Sequence, residues 1–488
     1  MKRIFSSRIF ALAVGLGLRL LFVLEFPATS GDTVLYEQIA TNWLKHHVYA
    51  MEVDGRITPV DLRVPGYPAF LALVYALTGR TGESARLWVM LAQILVDLLG
   101  CLVIARLARI LTCASENDAR SERASTAALW LAVLCPFTAN YTAVPLTEVC
   151  ACFWTALACS VLSVVLRRVK KPDFLVRGSP PPPGRGVLYA ALGAGVVAGL
   201  GALFRPETPL LLVAAAMVLA VLLFPVREFV RWFLAAAAMV IGCLMVLSPW
   251  ALRNLVTLGE VEFLNPEYST LPGELVPHGF MAWERTWLYR VRDCYLVPWK
   301  LNEEAIHVDE IPPRAFDSPA ERQRVRDILE QYNEDLTLTK EEDEAFGQIA
   351  RERVRRHRLR IFLWIPVARA AVIWFTPRIE LLPISGNVFP LAKMYDEDPQ
   401  DQGFTVLFFL LNLFYVGLGA WGAVKLWRAS SSVRPVVAFL VLYILLRTAF
   451  LTTLETPEPR YALECFAALM ALGAAAIAAG SGSVGRET

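Results

Sequence analysis

Acidic and arginine residues recur in short motifs beside long apolar runs, and these are the groups able to do chemistry. Gly31-Asp32-Thr33 follows the first apolar run, with Tyr36 and Glu37 just beyond. An Asp in this position suits a helix N-cap. It also suits a general base that takes a proton from an attacking hydroxyl, and the two roles are compatible. Next comes Arg63-Val64-Pro65-Gly66-Tyr67-Pro68, where two prolines and a glycine impose a rigid bend that holds Arg63 in a defined place. An arginine so held can grip a phosphate through paired hydrogen bonds, or touch ordinary lipid headgroups. Four more clusters follow: Thr147-Glu148, Arg205-Pro206-Glu207, Pro249-Trp250 with Arg253-Asn254, and Glu455 with Glu458-Pro459-Arg460-Tyr461. Each alone fits a structural ion pair or an interfacial anchor, and Trp250 fits an aromatic belt. The adjacent His46 and His47 point about 100° apart on a helix and suit a solvated pair better than a ligand pair.

The surrounding composition sets these groups at a membrane. Of 488 residues, 56% are hydrophobic and 19% charged, with mean hydropathy +0.47; a soluble chain carries about 25% charged residues. Long apolar stretches hold almost no charge, and a span of the lipid core needs roughly 20 such residues. Spans are expected over residues 9–26, 87–111, 124–138, 146–166, 187–204, 209–223, 232–250, 404–427, 433–451 and 462–479, about ten by the length rule. The first, although preceded by Lys2, Arg3 and Arg8, lacks a convincing cleavage site and is taken as a retained helix. Arg19, inside it, suits a structural pair or snorkelling. A net charge of +2 points to no nucleic-acid partner. The nine cysteines form no disulfide framework, and Cys150 and Cys152 are wrongly spaced for a CxxC site.

Orientation follows from the basic loops. Arg106, Arg109, Arg120 and Arg123 cluster in one loop; Arg167, Arg168, Lys170, Lys171, Arg177 and Arg185 cluster beside Pro180–Pro183 in another. Arg227 with Arg231, and Lys425 with Arg428 and Arg434, mark two more. All four are expected to be cytoplasmic, as are both termini, so the acid and arginine motifs gather on the opposite face. There the first outward loop, 28–85, is expected to carry amphipathic interfacial helices, with a helix over 33–45 and a short apolar piece over 69–77. A second outward segment covers 136–145. The third, 254–402, contains Trp283, Trp287 and Trp299, an acidic helix-favouring run over 320–350, and a small extracytoplasmic domain. Its apolar stretch 361–375 is interrupted by Pro366 and Arg369 and is expected to lie along the membrane behind a run of arginines from Arg353 to Arg360. The expected fold is an all-α polytopic membrane protein: a transmembrane module over 1–253, an extracytoplasmic region over 254–402, and C-terminal transmembrane helices over 403–488.

The order of these motifs carries a resemblance. A single Asp after the first helix, RxPGYPxF, Thr-Glu opening the fourth helix, GLxxLxRPE, PWxxRN and ExRY before the last helix together resemble the bacterial GT-C membrane glycosyltransferases. These are relatives of protein O-mannosyltransferases and the lipid A aminoarabinose transferase. The likeness runs from Gly31 to Tyr461. It implies an inverting transferase that moves a sugar from a polyprenyl-phosphate donor to a hydroxyl of an envelope lipid, glycan or protein, in a bacterial inner membrane with the active site facing outward. The chain departs from protein O-mannosyltransferases in having Thr33 after Asp32, where they have an Asp-Glu pair. On this reading Asp32 is the catalytic base, and Arg63, Arg205 and Arg460 hold the donor phosphate. Tyr36, Tyr67, Glu148, Glu207, Arg253, Glu458 and Tyr461 bind or orient the acceptor. Relatives differ in metal use; Glu148 could also help hold a divalent metal, and no ligand cluster decides whether one is used. The competing reading is a transporter or lipid flippase, whose polar groups are expected near the bilayer midplane rather than at span ends.

Overall fold

The computed structural model describes residues 2–112, 118–169, 185–222, 229–266, 268, 271, 274–384, 386, 388 and 399–480. Lys170, Lys171, Arg177, Pro180–Pro183 and Arg227 of the expected basic loops lie outside them. The chain divides into two compact units: Met1–Glu267 with Pro377–Leu446 and Leu463–Thr488, and Tyr268–Thr376 with Arg447–Ala462.

The first unit is helical throughout except for one hairpin. Helices stand at each expected span: Lys2–Glu25, Arg86–Ile110, Ala119–Val133, Glu148–Val169, Arg185–Ala202, Leu210–Leu222, Phe229–Leu258, Pro399–Ala429, Arg434–Leu451 and Phe466–Gly480. Among the described residues, six helices are long and apolar enough to cross a membrane. The protein is an integral membrane protein. Between the Arg185–Ala202 and Phe229–Leu258 helices the backbones nearly touch, since a Cβ on Gly242 would stand 2.2 Å from the Leu192 carbonyl oxygen. With lipid outside, such close packing of small residues does what the hydrophobic effect does between helices in water.

Arg19 meets a partner from another helix. It is fully buried and donates from Nε to Asp97 at 2.5 Å, and from Nη1 to the Gly15 and Val133 carbonyls at 2.9 and 2.8 Å. A charge in this setting persists only when paired and hydrogen-bonded, and Arg19 is therefore a structural tie between the Lys2–Glu25 and Arg86–Ile110 helices.

The first loop forms the helix Gly31–His46, a β-hairpin of Ala50–Val53 and Arg56–Pro59, and the helix Gly66–Thr78. The hairpin was not expected, although its Asp54-Gly55 turn carries a sequence signal; both residues have positive φ (50° and 72°), as a two-residue primed turn requires. The N-cap of the Gly31–His46 helix is Ser30, not Asp32, which sits one step inside the first turn. Thr33 completes the cap, accepting the Ser30 N–H at 3.1 Å. Glu37 takes a two-pronged bond from Arg86, at 2.8 and 3.0 Å, which joins this helix to the base of the Arg86–Ile110 helix.

The second unit packs around Phe280, Trp283, Trp287, Leu329, Tyr332 and Phe346. The acidic, helix-favouring run forms two helices, Pro319–Asp335 and Lys340–Arg356. The break falls at Leu336 in the left-handed region (φ 53°), and Thr339 with Glu342 caps the second helix. Arg353 is buried in the unit, bonded to Glu321 and the Ala315 carbonyl. Over 361–375, a π-helical turn, Arg360–Trp364, leads into the helix Ile365–Phe375. Pro366 sits in its first turn, where no N–H is needed. Arg369 does not interrupt this helix; it is buried and donates to the Leu288, Thr452 and Arg285 carbonyls.

Replacing Asp97 by Ala leaves the Arg19 charge without its counterion. The expected loss is about 3–5 kcal/mol of stability, read as a fall in thermal unfolding temperature in detergent, with most of it regained in the Arg19→Leu/Asp97→Leu double variant. An unchanged unfolding temperature in Asp97→Ala refutes the structural role.

Candidate functional site

The site of the first unit is built from three chain segments. Asp32, in the first turn of its helix, accepts a 2.9 Å hydrogen bond from Arg63, and each side chain is about a quarter exposed (28% and 26%). Arg63 is held from behind, because the Tyr49 hydroxyl donates to its carbonyl at 2.8 Å. Three residues on, the backbone meets another segment: Gly66 N–H donates to the Leu203 carbonyl at 2.7 Å. A Cβ at Gly66 would lie 2.4 Å from that oxygen, so only glycine allows this approach.

Leu203 opens the turn that carries Arg205 and Glu207. Arg205 pairs with Glu148, the first residue of the Glu148–Val169 helix, and lies 3.9 Å from Glu464. Glu464 in turn accepts from Thr155 at 2.8 Å. The loop before Glu148 is tied down twice. Thr33 donates to the Pro145 carbonyl at 3.2 Å, and Gln93 donates to the Val144 carbonyl at 2.8 Å while accepting from the Tyr67 hydroxyl at 2.7 Å. The Tyr36 ring packs edge-on against Tyr67, with centroids 5.1 Å apart. Burial pushes the Tyr36 phenol up to about 12, with the charges of Arg63, Asp32, Arg205 and Glu148 all acting on it. Tyr36 is thus a neutral hydroxyl within reach of the charges of both carboxylate–arginine pairs, able to donate and accept hydrogen bonds.

Arg253 serves the scaffold at the hairpin. Its Nη1 and Nη2 donate to the Val60 and Tyr49 carbonyls at 2.8 and 2.6 Å, and its guanidinium stacks over the Tyr49 and Trp250 rings. Trp250 is buried, and its indole N–H donates to the Leu264 carbonyl, so it is an inward packing residue and not part of an aromatic belt.

Glu458, Arg460 and Tyr461 belong to the second unit, where Glu458 pairs with Arg460 and accepts from the Tyr461 hydroxyl at 2.7 Å. Nearby, Arg285 pairs with Glu455. Glu284 is 2% exposed, and burial, followed by the Glu455 charge, raises its carboxyl well above the ordinary value of 4.5 against the pull of Arg369.

Sequence reasoning passed over Tyr49, Gln93 and Glu464. The last two carry a usable signal, a lone polar side chain inside an apolar window, but only the packing supplies their partners. Among the described residues no group of three or more His, Cys, Asp or Glu side chains could hold a metal ion.

These features define a polytopic helical membrane protein with one carboxylate–arginine pair inside its first loop, one joining that loop to the Arg86–Ile110 helix, and one joining the Arg205 turn to the Glu148–Val169 helix. No protein-family model matches the sequence, and no curated protein matches it. Solved structures do resemble it. The archaeal oligosaccharyltransferase AglB from Archaeoglobus fulgidus, in complex with an inhibitory peptide and a dolichol-phosphate, superposes with TM-score 0.52 at 15% identity, over 98% of this chain and 50% of that one. The apo form of the Archaeoglobus fulgidus enzyme gives 0.50 at 15% identity, over 98% and 50%. ArnT from Cupriavidus metallidurans bound to undecaprenyl phosphate gives 0.40 at 16% identity, over 97% and 78%. The chain spans about half the length of the oligosaccharyltransferase chains, whose fold it shares.

Two outcomes follow. Gly66→Ala forces Pro65–Tyr67 away from Leu203, and a fall in unfolding temperature equivalent to about 2 kcal/mol is expected; an unchanged value shows that the backbone contact is dispensable. For Glu284, a folded pKa above the unfolded one means that the fold binds the proton more tightly. Its favourable contribution is therefore present at low pH and is lost as pH rises above about 4.5. Glu284→Gln should raise the unfolding temperature at pH 8 more than at pH 5, and equal shifts at both values would show that Glu284 does not hold its proton in the fold.

Proposed function

We propose that the chain is an inverting glycosyltransferase that moves a sugar from a polyprenyl-phosphate donor to a hydroxyl acceptor on the non-cytoplasmic face of a bacterial inner membrane. The observation that carries this reading is that the Asp32–Arg63 and Glu148–Arg205 pairs both come close enough to Tyr36 for their charges to act on its hydroxyl. The shared fold supports it, since AglB was solved with a dolichol-phosphate and an inhibitory peptide.

The chemistry is a displacement at the anomeric carbon. An acceptor hydroxyl is a weak nucleophile; Asp32 takes its proton as the new carbon–oxygen bond forms. The bond to the lipid phosphate breaks on the opposite face of the sugar, and configuration inverts. The Arg63 bond is made to Oδ1 of Asp32. The leaving phosphate departs as an anion and calls for positive charge more than for a proton. Arg63 and Arg205, set where water is scarce, supply it. Glu148 fixes Arg205, and Tyr36 offers a neutral hydroxyl to sugar or acceptor. The acceptor is an envelope lipid, a glycan or a protein.

The test is transfer in proteoliposomes with radiolabelled polyprenyl-phosphate sugars and an envelope extract. Asp32→Asn should lower the rate by about 10²–10⁴-fold with folding intact. Full activity in the variant removes Asp32 from the role of base. Failure to consume any of a broad donor panel removes the transferase reading and turns attention to transport.

A further inference from the structure

The helices Pro399–Ala429 and Arg434–Leu451 are both long and apolar enough to cross a membrane, and the short turn 430–433 joins them. A turn this short between two spans stands at a membrane–water interface. It lies far from the site already described. Tyr415 packs on Phe466 with ring centroids 6.0 Å apart, Gly419 meets Leu469 and Gly422 meets Leu472, so Pro399–Ala429 runs parallel to Phe466–Gly480. Phe466 follows closely on Glu464, the neighbour of Arg205. Arg428 is further along the same helix than Tyr415, by a rise of about 20 Å.

At this end the Pro399–Ala429 helix carries an open cleft of about 380 Å³, lined by Trp421, Val424, Lys425, Arg428 and Ala429. The first four recur at the spacing of one helix face. Along that face the order is apolar, then basic: Trp421 and Val424 sit nearer the middle of the span, Lys425 and Arg428 nearer its end. The same face continues inward through Gly417, Phe414 and Leu410, all exposed. A Cβ on Gly417 would meet nothing within 4 Å, so the track is open there too. From Leu410 to Val424 it runs about 20 Å, against roughly 15 Å for half of the lipid core. That is room for a whole acyl chain.

The cations at this turn are set by aromatic rings rather than by acids. Lys425 Nζ lies 4.5 Å over the Trp421 ring, and the Arg434 guanidinium lies 5.8 Å from the Trp427 ring. Arg434 Nε also donates to the Trp427 carbonyl at 2.9 Å, which fixes it across the turn. Among the described residues no carboxylate forms an ion pair with Lys425, Arg428 or Arg434. Arg8 and Arg109 of the same unit differ, since both pair with Glu122. Trp421 and Trp427 are exposed, as tryptophans at the headgroup level of a bilayer are. Basic groups at that level attract anionic headgroups, and the apolar track beside them takes the chain.

We infer that this cleft binds an anionic phospholipid, with its phosphodiester on Lys425 and Arg428 and an acyl chain along Val424, Trp421 and Gly417. Arg434 adds positive charge beside the headgroup from the start of the next helix. A zwitterionic lipid offers the same phosphate but brings a cation of its own, which these residues repel. The site therefore selects for net negative charge. The inference does not rest on the proposed transferase activity, and it stands or falls separately from it.

The test is binding of fluorescent phosphatidylglycerol to the purified full-length chain in neutral detergent, with phosphatidylcholine and inorganic phosphate as comparison ligands. Each cation at a membrane surface is worth about fivefold in binding. Lys425→Gln/Arg428→Gln should therefore weaken phosphatidylglycerol binding about thirtyfold and leave phosphatidylcholine binding unchanged. The charge-keeping pair Lys425→Arg/Arg428→Lys should bind as the wild type does. Arg120→Gln/Arg123→Gln removes two exposed charges at the start of the Ala119–Val133 helix and should change nothing. Unchanged phosphatidylglycerol binding in the Lys425/Arg428 glutamine variant overturns the site. An equal loss in the Arg120/Arg123 variant also overturns it, and shows diffuse attraction by the whole basic surface. Equal wild-type affinity for phosphatidylcholine overturns the selection for net charge. Displacement by inorganic phosphate as effective as by unlabelled phosphatidylglycerol overturns the lipid assignment and shows a free-phosphate site.

Discussion

The hydrogen bond from the Gly66 N–H to the Leu203 carbonyl ties together two segments distant in sequence, and the site depends on it. On one side of that contact lies the bend that carries Arg63 and, through it, Asp32. On the other lies the turn that carries Arg205 and, through it, Glu148. Backbone rarely approaches backbone this closely outside regular structure, because a side chain intervenes. Here the missing Cβ of Gly66 makes room, and Pro65 and Pro68 stiffen the flanking chain so that the contact is not lost to alternative conformations. Side-chain pairs built from such anchors keep fixed separations, which electrostatic catalysis requires.

The second constraint is the expense of charge away from water. Arg19 with Asp97, Arg205 with Glu148, and Arg63 with Asp32 all answer it by pairing, yet they differ in exposure. Arg19 is sealed, with its donors spent on Asp97 and carbonyls, and serves as a tie. The Asp32–Arg63 pair is about a quarter exposed, so a ligand can reach it and compete for the arginine. Exposure thus sets the Asp32–Arg63 pair apart from the deeper Arg205–Glu148 (15% and 3%) and Arg19–Asp97 pairs, although all look alike as letters beside an apolar run. Arg253 departs from the pattern because backbone carbonyls and aromatic rings, rather than a hydrogen-bonded carboxylate, hold it.

In the second unit the same physics recurs. Arg369, Arg353 and Asp343 are charged residues turned inward to satisfy backbone groups, and Arg353 also pairs with Glu321. Their role is to bind short helices and connecting loops into a compact body around Trp283 and Trp287. A helix-favouring acidic run does not reveal this, because Leu336 and Thr339 break it for reasons of local backbone geometry and capping.

By itself the sequence determined that this is a helical membrane protein and where its apolar helices run, because span length and composition are local properties set by bilayer thickness. It also marked Asp32, Arg63, Glu148 and Arg205 as exceptional, because ionisable residues beside apolar runs need a reason. The tertiary structure decided which of these meet. It paired Asp32 with Arg63 and Glu148 with Arg205, gave Glu37 to Arg86, and moved the helix cap from Asp32 to Ser30. It also supplied Tyr49, Gln93 and Glu464, and drew Trp250 inward. Apart from the cap, which spans three residues, these contacts join residues from 14 to 309 positions apart, and their existence depends on how whole segments pack.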